Sequence, residues 1–293
     1  MLANNRPATV PAAYRKPVSA LLRDMGAVFN GADGRIPFRP DPLAHALRGG
    51  LGEEFVLIGA TPAAGKTDLA LNIALSVAAN RKVVFMSLEI PATAVVRRAL
   101  PCLSCSLDAS VPATEHDFAS IDGLPSDRAE SCRSVVSHAA TLLERVVVVD
   151  DRALDGPDDH SIEALANAIH AIALADGAPP VVVVDYVQLM GVSTPAFSVT
   201  DIVDRVSRGL AKIAHGERTP VVAIASLGKD GTFRSSSQLT FDPDIILRLK
   251  TERSRDDGSR DVVIEVNKFR DGRAPQEIPL RYWPAFHFFG TAD

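Results

Sequence analysis

The stretch Phe55–Thr67, FVLIGATPAAGKT, decides how this chain reads. Its first four residues, Phe55, Val56, Leu57 and Ile58, form a short apolar run that predicts a buried strand. The chain then passes through Thr61, Pro62, Ala63, Ala64 and Gly65, closes on Lys66 and Thr67, and enters an amphipathic helix at Asp68. Side chains this small let successive backbone N–H groups turn inward as an anion nest, and the start of a helix adds partial positive charge. The pattern is a phosphate-binding loop for a nucleoside triphosphate such as ATP. Lys66 would reach the β- and γ-phosphates, and the Thr67 hydroxyl would ligate Mg²⁺. Ala60 stands where the first glycine of G-x-x-x-x-G-K-[ST] is expected, and Gly59 comes one place too early. A chance GKT at the start of a helix is the bland alternative; strand, loop and helix falling in the order the chemistry needs weighs against it.

Outward from the loop, strands and helices alternate. The helix Asp68–Ala79 carries Leu69, Ile73, Ala74 and Val77 on one face, and the strand Lys82–Leu88 ends at Glu89. Pro91–Leu103 reads as a helix, Ser104–Asp127 as an irregular loop, Arg133–Leu143 as a helix and Arg145–Asp150 as a strand. Ser161–Ala175 is a further amphipathic helix with Ser161 at its start. Val181–Asp185, VVVVD, is a run of β-branched residues suited to a parallel sheet covered on both faces. Thr200–His215 is the next helix, Val221–Ala225 the next strand, and Ile245–Lys250 with Val262–Val266 a hairpin. This order implies an α/β fold with a doubly wound, mainly parallel sheet, a C-terminal hairpin extension, and nucleotide at the carboxyl ends of the strands.

The 293 residues, 46% of them hydrophobic, suffice for one large domain, expected over 34–293. Residues 1–33 read as a flexible arm in which Pro17–Phe29 forms a short helix with Val18, Leu21, Leu22, Met25, Val28 and Phe29 as an apolar stripe. No run is long enough to span a bilayer, and MLANNRPATVPAAYRK lacks the apolar core of a secretory signal, so a cytoplasmic protein without membrane contact is expected. A net charge of -5 confines any nucleic-acid contact to a local basic patch. Cys102, Cys105, Cys132 and His138 offer four zinc ligands, although cysteines in so apolar a segment more often act as small buried hydrophobes.

Two carboxylates end strands where chemistry would want them. Asp185 closes the most apolar strand and is the candidate Mg²⁺ ligand beside Thr67. Glu89, if its strand lies next to the phosphate-loop strand, is the candidate general base. Each is weighed against a carboxylate that merely caps a strand end or the next helix.

With these residues in view, IGATPAAGKTDLALNIAL, FMSLEIP and VVVVDYVQLM together resemble the ATPase domain of DnaB-type replicative helicases and their RecA-fold relatives. The resemblance runs from about Gly34 to the C-terminus. It implies a RecA-like P-loop NTPase that hydrolyses ATP with Mg²⁺, and that family tolerates alanine at the position of Ala60. It also implies that VNKFRDG supplies Lys268 and Arg270 to the ATP of a neighbouring subunit, with Arg270 as an arginine finger. A finger acting in trans implies a homo-oligomer, a hexamer-like ring or a helical assembly. The Pro17–Phe29 helix then falls where the family has a linker helix, a contact for a neighbour or another protein partner.

The chain departs from the family in three ways. The helical domain that precedes the family's ATPase core, used for primase contact, is expected to be missing. Ser226 replaces a glutamine that senses the γ-phosphate, and a hydroxyl cannot span the same distance. The channel-lining loop is shortened to Gly228–Gln238, in which Lys229 and Arg234 are candidate DNA-phosphate contacts and Phe233 a candidate base-stacking ring. Two expectations follow. One is a motor that binds single-stranded DNA, of helicase or translocase type; the other is an ATP-dependent assembly or switch protein that unwinds nothing.

Overall fold

In the computed structural model, residues 34–107, 112–152, 159–228 and 230–292 are described. The helix expected over Pro17–Phe29 and the candidate DNA contact Lys229 lie outside them. Ile36–Asp293 group into one unit built on a nine-stranded sheet.

The elements follow in the order α1 (Asp41–Ala46), β1 (Phe55–Ala60), α2 (Lys66–Ala78), β2 (Val83–Ser87) and α3 (Ala92–Ser106). Next come α4 (Glu115–Ala119), α5 (Ser126–Leu143), β3 (Val146–Asp150), α6 (Ile162–Asp176), β4 (Val181–Asp185) and α7 (Val199–Gly216). The chain closes with β5 (Val221–Ser226), β6 (Ile245–Ser254), β7 (Arg260–Phe269), β8 (Gln276–Trp283) and β9 (Phe288–Thr291). In space the strands run β3-β2-β4-β5-β1-β6-β7-β8-β9. The six from β3 to β6 are parallel, and β7, β8 and β9 continue antiparallel.

The central strands sit where burial on both faces demands apolar runs. Every residue of β1, β2 and β4 is buried, and two apolar clusters cover the two faces of the sheet. Each fully buried valine of β4 contributes on the order of 1.5–3 kcal/mol relative to exposure. Helix α2 is buried on almost its whole circumference, not on one face alone. The reason is the pair β8–β9, which the sequence reading left out: Asn72 of α2 donates to the carbonyl of His287 and accepts from the N–H of Phe289.

The segment expected as an irregular loop holds α4, fixed by a capping box in which Thr114 and Asp117 satisfy each other's backbone N–H groups. Helix α5 begins at Ser126, two turns ahead of expectation. Ser161 caps α6 and Ser198 caps α7, each accepting a backbone N–H three residues on.

Candidate nucleotide-binding site

The loop from Thr61 to Thr67 leaves the carboxyl end of β1 and turns into α2. Gly65 takes a left-handed φ of +94°, and a Cβ placed there would sit 2.9 Å from the Tyr282 ring, so glycine is required twice over. Ala60, by contrast, is the last residue of β1 and has no positive φ, which is why alanine serves there. The early glycine has its own cause: the Phe233 ring packs so closely on Gly59 that a Cβ would meet it at 2.7 Å.

Lys66, Thr67 and Glu89 line one cleft of about 330 Å³ with Ala63, Gly65 and Arg98. Strand β2 is not the neighbour of β1, the condition under which Glu89 was weighed as general base; β4 and β5 lie between them. Glu89 lines the cleft all the same, and the N–H of Leu88 just before it donates to the Asp185 carbonyl, continuing the β2–β4 ladder to the end of both strands. Asp185 is fully buried, and among the described residues neither carboxylate oxygen accepts a well-formed hydrogen bond. Burial pushes its pKa up to about 6, with Glu89 adding to the rise; the nearby Thr67 hydroxyl, Lys66 and Arg98 pull the other way. A buried, unpartnered carboxylate beside a hydroxyl is a hard-oxygen donor set that fits Mg²⁺.

Asp68, grouped with the cofactor-binding residues on sequence, lines the same cleft, and its carboxylate is engaged by the residues that wall it. Its Oδ2 accepts from the Tyr282 hydroxyl and meets His287 Nδ1 at 2.9 Å, while Oδ1 pairs with Arg98 at 3.0 Å. Burial raises the Asp68 pKa, but His287, Tyr282 and Arg98 outweigh it and hold the carboxyl below its usual value. His287 is disfavoured as a cation by burial, yet Asp68 and Glu115, the latter at 2.8 Å from Nε2, hold its pKa above the ordinary value. Arg260 donates to the Ala63 carbonyl at 3.0 Å and fixes the loop from the sheet side.

Arg98, Tyr282, Pro284 and His287 thus wall the cleft, and the sequence reading assigned them nothing. A signal for β8 was present: Ile278, Leu280 and Tyr282 alternate with Glu277, Pro279 and Arg281.

Lys268 and Arg270 lie at the other end of the sheet. β7 runs antiparallel to β6, so they sit beside Ile245 and Ile246, near the start of β1 and far from their own phosphate loop. Phe233 is buried against Gly59 and Leu227, so its face is closed to a stacked base; this corrects the sequence reading. Arg234 is exposed. The N–H of Ser226 approaches the Gln188 side-chain oxygen at 3.5 Å, and Gln188 in turn approaches the Arg234 carbonyl at 3.4 Å. Cys102 and Cys132 are buried with thiol pKa values raised by burial, and no group of three or more metal-ligating side chains occurs among the described residues.

A phosphate loop at the carboxyl end of a parallel strand, facing an acidic strand end, defines a P-loop nucleotide-binding protein of the α/β class. The chain matches the DnaB-like helicase C-terminal domain over residues 41–291 and belongs to that family. Among curated relatives, a probable plasmid replicative DNA helicase of Chlamydia trachomatis is 26% identical over 231 residues, covering 74% of this chain and 46% of its own. The chain therefore spans about half the length of the curated relatives it matches. Among solved structures, the ATPase domain of G40P superposes with a TM-score of 0.75 at 20% identity, over 94% of this chain and 99% of that one. A DnaB-like replicative helicase studied with primase gives 0.74 at 21% identity, over 95% and 67%. These likenesses establish the RecA-like fold.

Proposed function

We propose that this chain is an ATP-hydrolysing motor domain that works in a homo-oligomer and grips single-stranded DNA. The observation that carries the reading is the convergence of Lys66, Thr67 and Glu89 on one cleft beside the orphaned carboxylate of Asp185. Thr67 and Asp185 would hold Mg²⁺, which when bound supplies Lewis-acid charge to the phosphoryl oxygens. Lys66 holds the β- and γ-phosphates, and the Thr61–Gly65 backbone cradles them. Glu89, exposed on the cleft, takes the proton of the attacking water. Lys268 and Arg270 serve the nucleotide of a neighbouring copy, a role supported by their distance from their own loop. Ring or helical order and a partner for residues 17–29 are part of the same reading. Work at DNA in the cytoplasm is part of the same proposal; among the described residues no helix is long and apolar enough to cross a membrane.

A second reading is favoured by one observation. The segment after β5 is tied down: Leu227 bridges Phe233, Arg234 donates to Ser226, and Ser236 bonds Asp204. That leaves little loop to grip a strand and suits a nucleotide-controlled assembly switch. ATP turnover by size-fractionated protein, with and without single-stranded DNA, separates the two. The motor reading expects stimulation that fades steeply with salt. Equal turnover with and without DNA at low salt, together with an assembly state altered in Lys66→Ala, leaves the switch.

A further inference from the structure

Asp244, just before β6, is the knot at the amino end of β1. Its N–H donates to the Phe55 carbonyl at 2.9 Å, and its own carbonyl accepts the Arg270 N–H at 3.0 Å. Its carboxylate is divided between three groups. Oδ2 accepts the Phe55 N–H at 2.9 Å and meets His215 Nε2 at 2.8 Å, while Oδ1 lies 3.0 Å from Arg270 Nε.

Arg270 is held on its inner edge only. Nη2 donates to the Phe241 carbonyl at 2.8 Å, and Nη1 has no hydrogen-bond partner among the described residues. The Asp244 side chain is 10% exposed, whereas that of Arg270 is 52% exposed. Lys268 is tethered to the same turn, donating to the Phe241 carbonyl at 2.7 Å. An arginine side chain loses rotamer entropy on docking, and a fork already fixed at Nε and Nη2 has lost part of it beforehand.

We propose that Asp244 is a positioning residue, holding Arg270 of one copy aimed outward at the nucleotide of the next. The proposal rests on the reading of Arg270 as a residue acting in trans. It makes Asp244 act on a neighbour's turnover while leaving its own copy's phosphate loop intact.

Subunit mixing tests this. Asp244→Asn removes the charge facing Arg270, and Asp244→Ser keeps an acceptor for the Phe55 N–H if the first variant does not fold. Expected for D244N alone is ATP turnover about tenfold below wild type, with KM within about twofold. Lys66→Ala has a dead cleft and an intact Arg270, so adding it in equal amount should raise D244N turnover severalfold. Arg270→Ala mixed with Lys66→Ala is the reference pair. If R270A is not rescued, the trans reading itself fails and the proposal with it. If R270A is rescued and D244N is not, or D244N turns over like wild type, the role given to Asp244 is overturned while the trans reading stands. If neither Asp244 variant binds a fluorescent ATP analogue, Asp244 serves the fold and the proposal is likewise overturned.

Discussion

The two ends of β1 handle charge in opposite ways. At the carboxyl end the buried carboxylate of Asp185 has no well-formed hydrogen bond among the described residues, and Lys66, Thr67 and Glu89 face a cleft. At the amino end each carboxylate oxygen of Asp244 is in use, and the arginine it holds projects half into solvent. One end carries an uncompensated cost that a bound cation would relieve; the other is internally satisfied and presents a cation outward. The difference teaches that a single strand can separate taking a ligand in from reaching out to one.

The sharpest way to break that contrast is at the cleft. Glu89→Gln should lower ATP turnover by about 10²–10⁴-fold while leaving nucleotide affinity nearly intact, as read by phosphate release and analogue binding. Near-normal turnover would remove Glu89 from the chemistry and leave the cleft a binding site only.

Asp185→Asn probes the cost directly. The folded pKa of Asp185, about 6, lies above its ordinary 3.8, so the native state loses stability as pH rises through that window. The asparagine variant does not titrate. Its stability relative to metal-free wild type should therefore climb between about pH 4 and pH 7, by up to about 3 kcal/mol in denaturant melts. A gap that stays flat with pH would mean that Asp185 is not the strained carboxylate at the cleft.

Tyr282→Phe deletes one donor to buried Asp68 and should cost about 1–2 kcal/mol of stability, with weaker nucleotide binding as the loop loosens. The smallest effect is that of His287→Asn, a change that the left-handed backbone of His287 tolerates. The raised pKa of His287 means that its stabilising contribution is complete below its ordinary 6.5 and is lost as pH rises through the raised value. The difference in melting temperature between wild type and H287N should accordingly narrow as pH rises above 6.5 and through the raised value. A constant difference would show that His287 acts there without its charge.

Much of this was legible in the residues. VVVVD gave β4 with both bounds correct, because an unbroken β-branched run ending in an acid has few other uses. The phosphate loop was readable because its chemistry is local. What escaped depended on contacts between distant parts of the chain. Phe233 looked like a loop aromatic among glycines and serines, and nothing nearby announces that Gly59, more than 170 positions earlier, leaves room for its ring. Asp68 lines the cleft as expected, but the partners that hold its carboxylate, Tyr282 and His287, come more than 200 positions later. Strand β8 keeps its alternation but carries Pro279, a residue that argues against a strand, and β9 is only four residues long and follows the turn Pro284–Phe286.

The wall made by Tyr282 and Phe289, rings stacked at 4.4 Å over Gly65, has a consequence for how binding competence arises during folding. Contacts of such high sequence separation are slow to find and come late. An excised β1–α2 fragment, though it holds the whole GKT motif, would lack one side of its cleft. Nucleotide affinity in this chain is therefore a gauge of the finished sheet, and an ATP analogue present during refolding should raise the melting point of the whole unit.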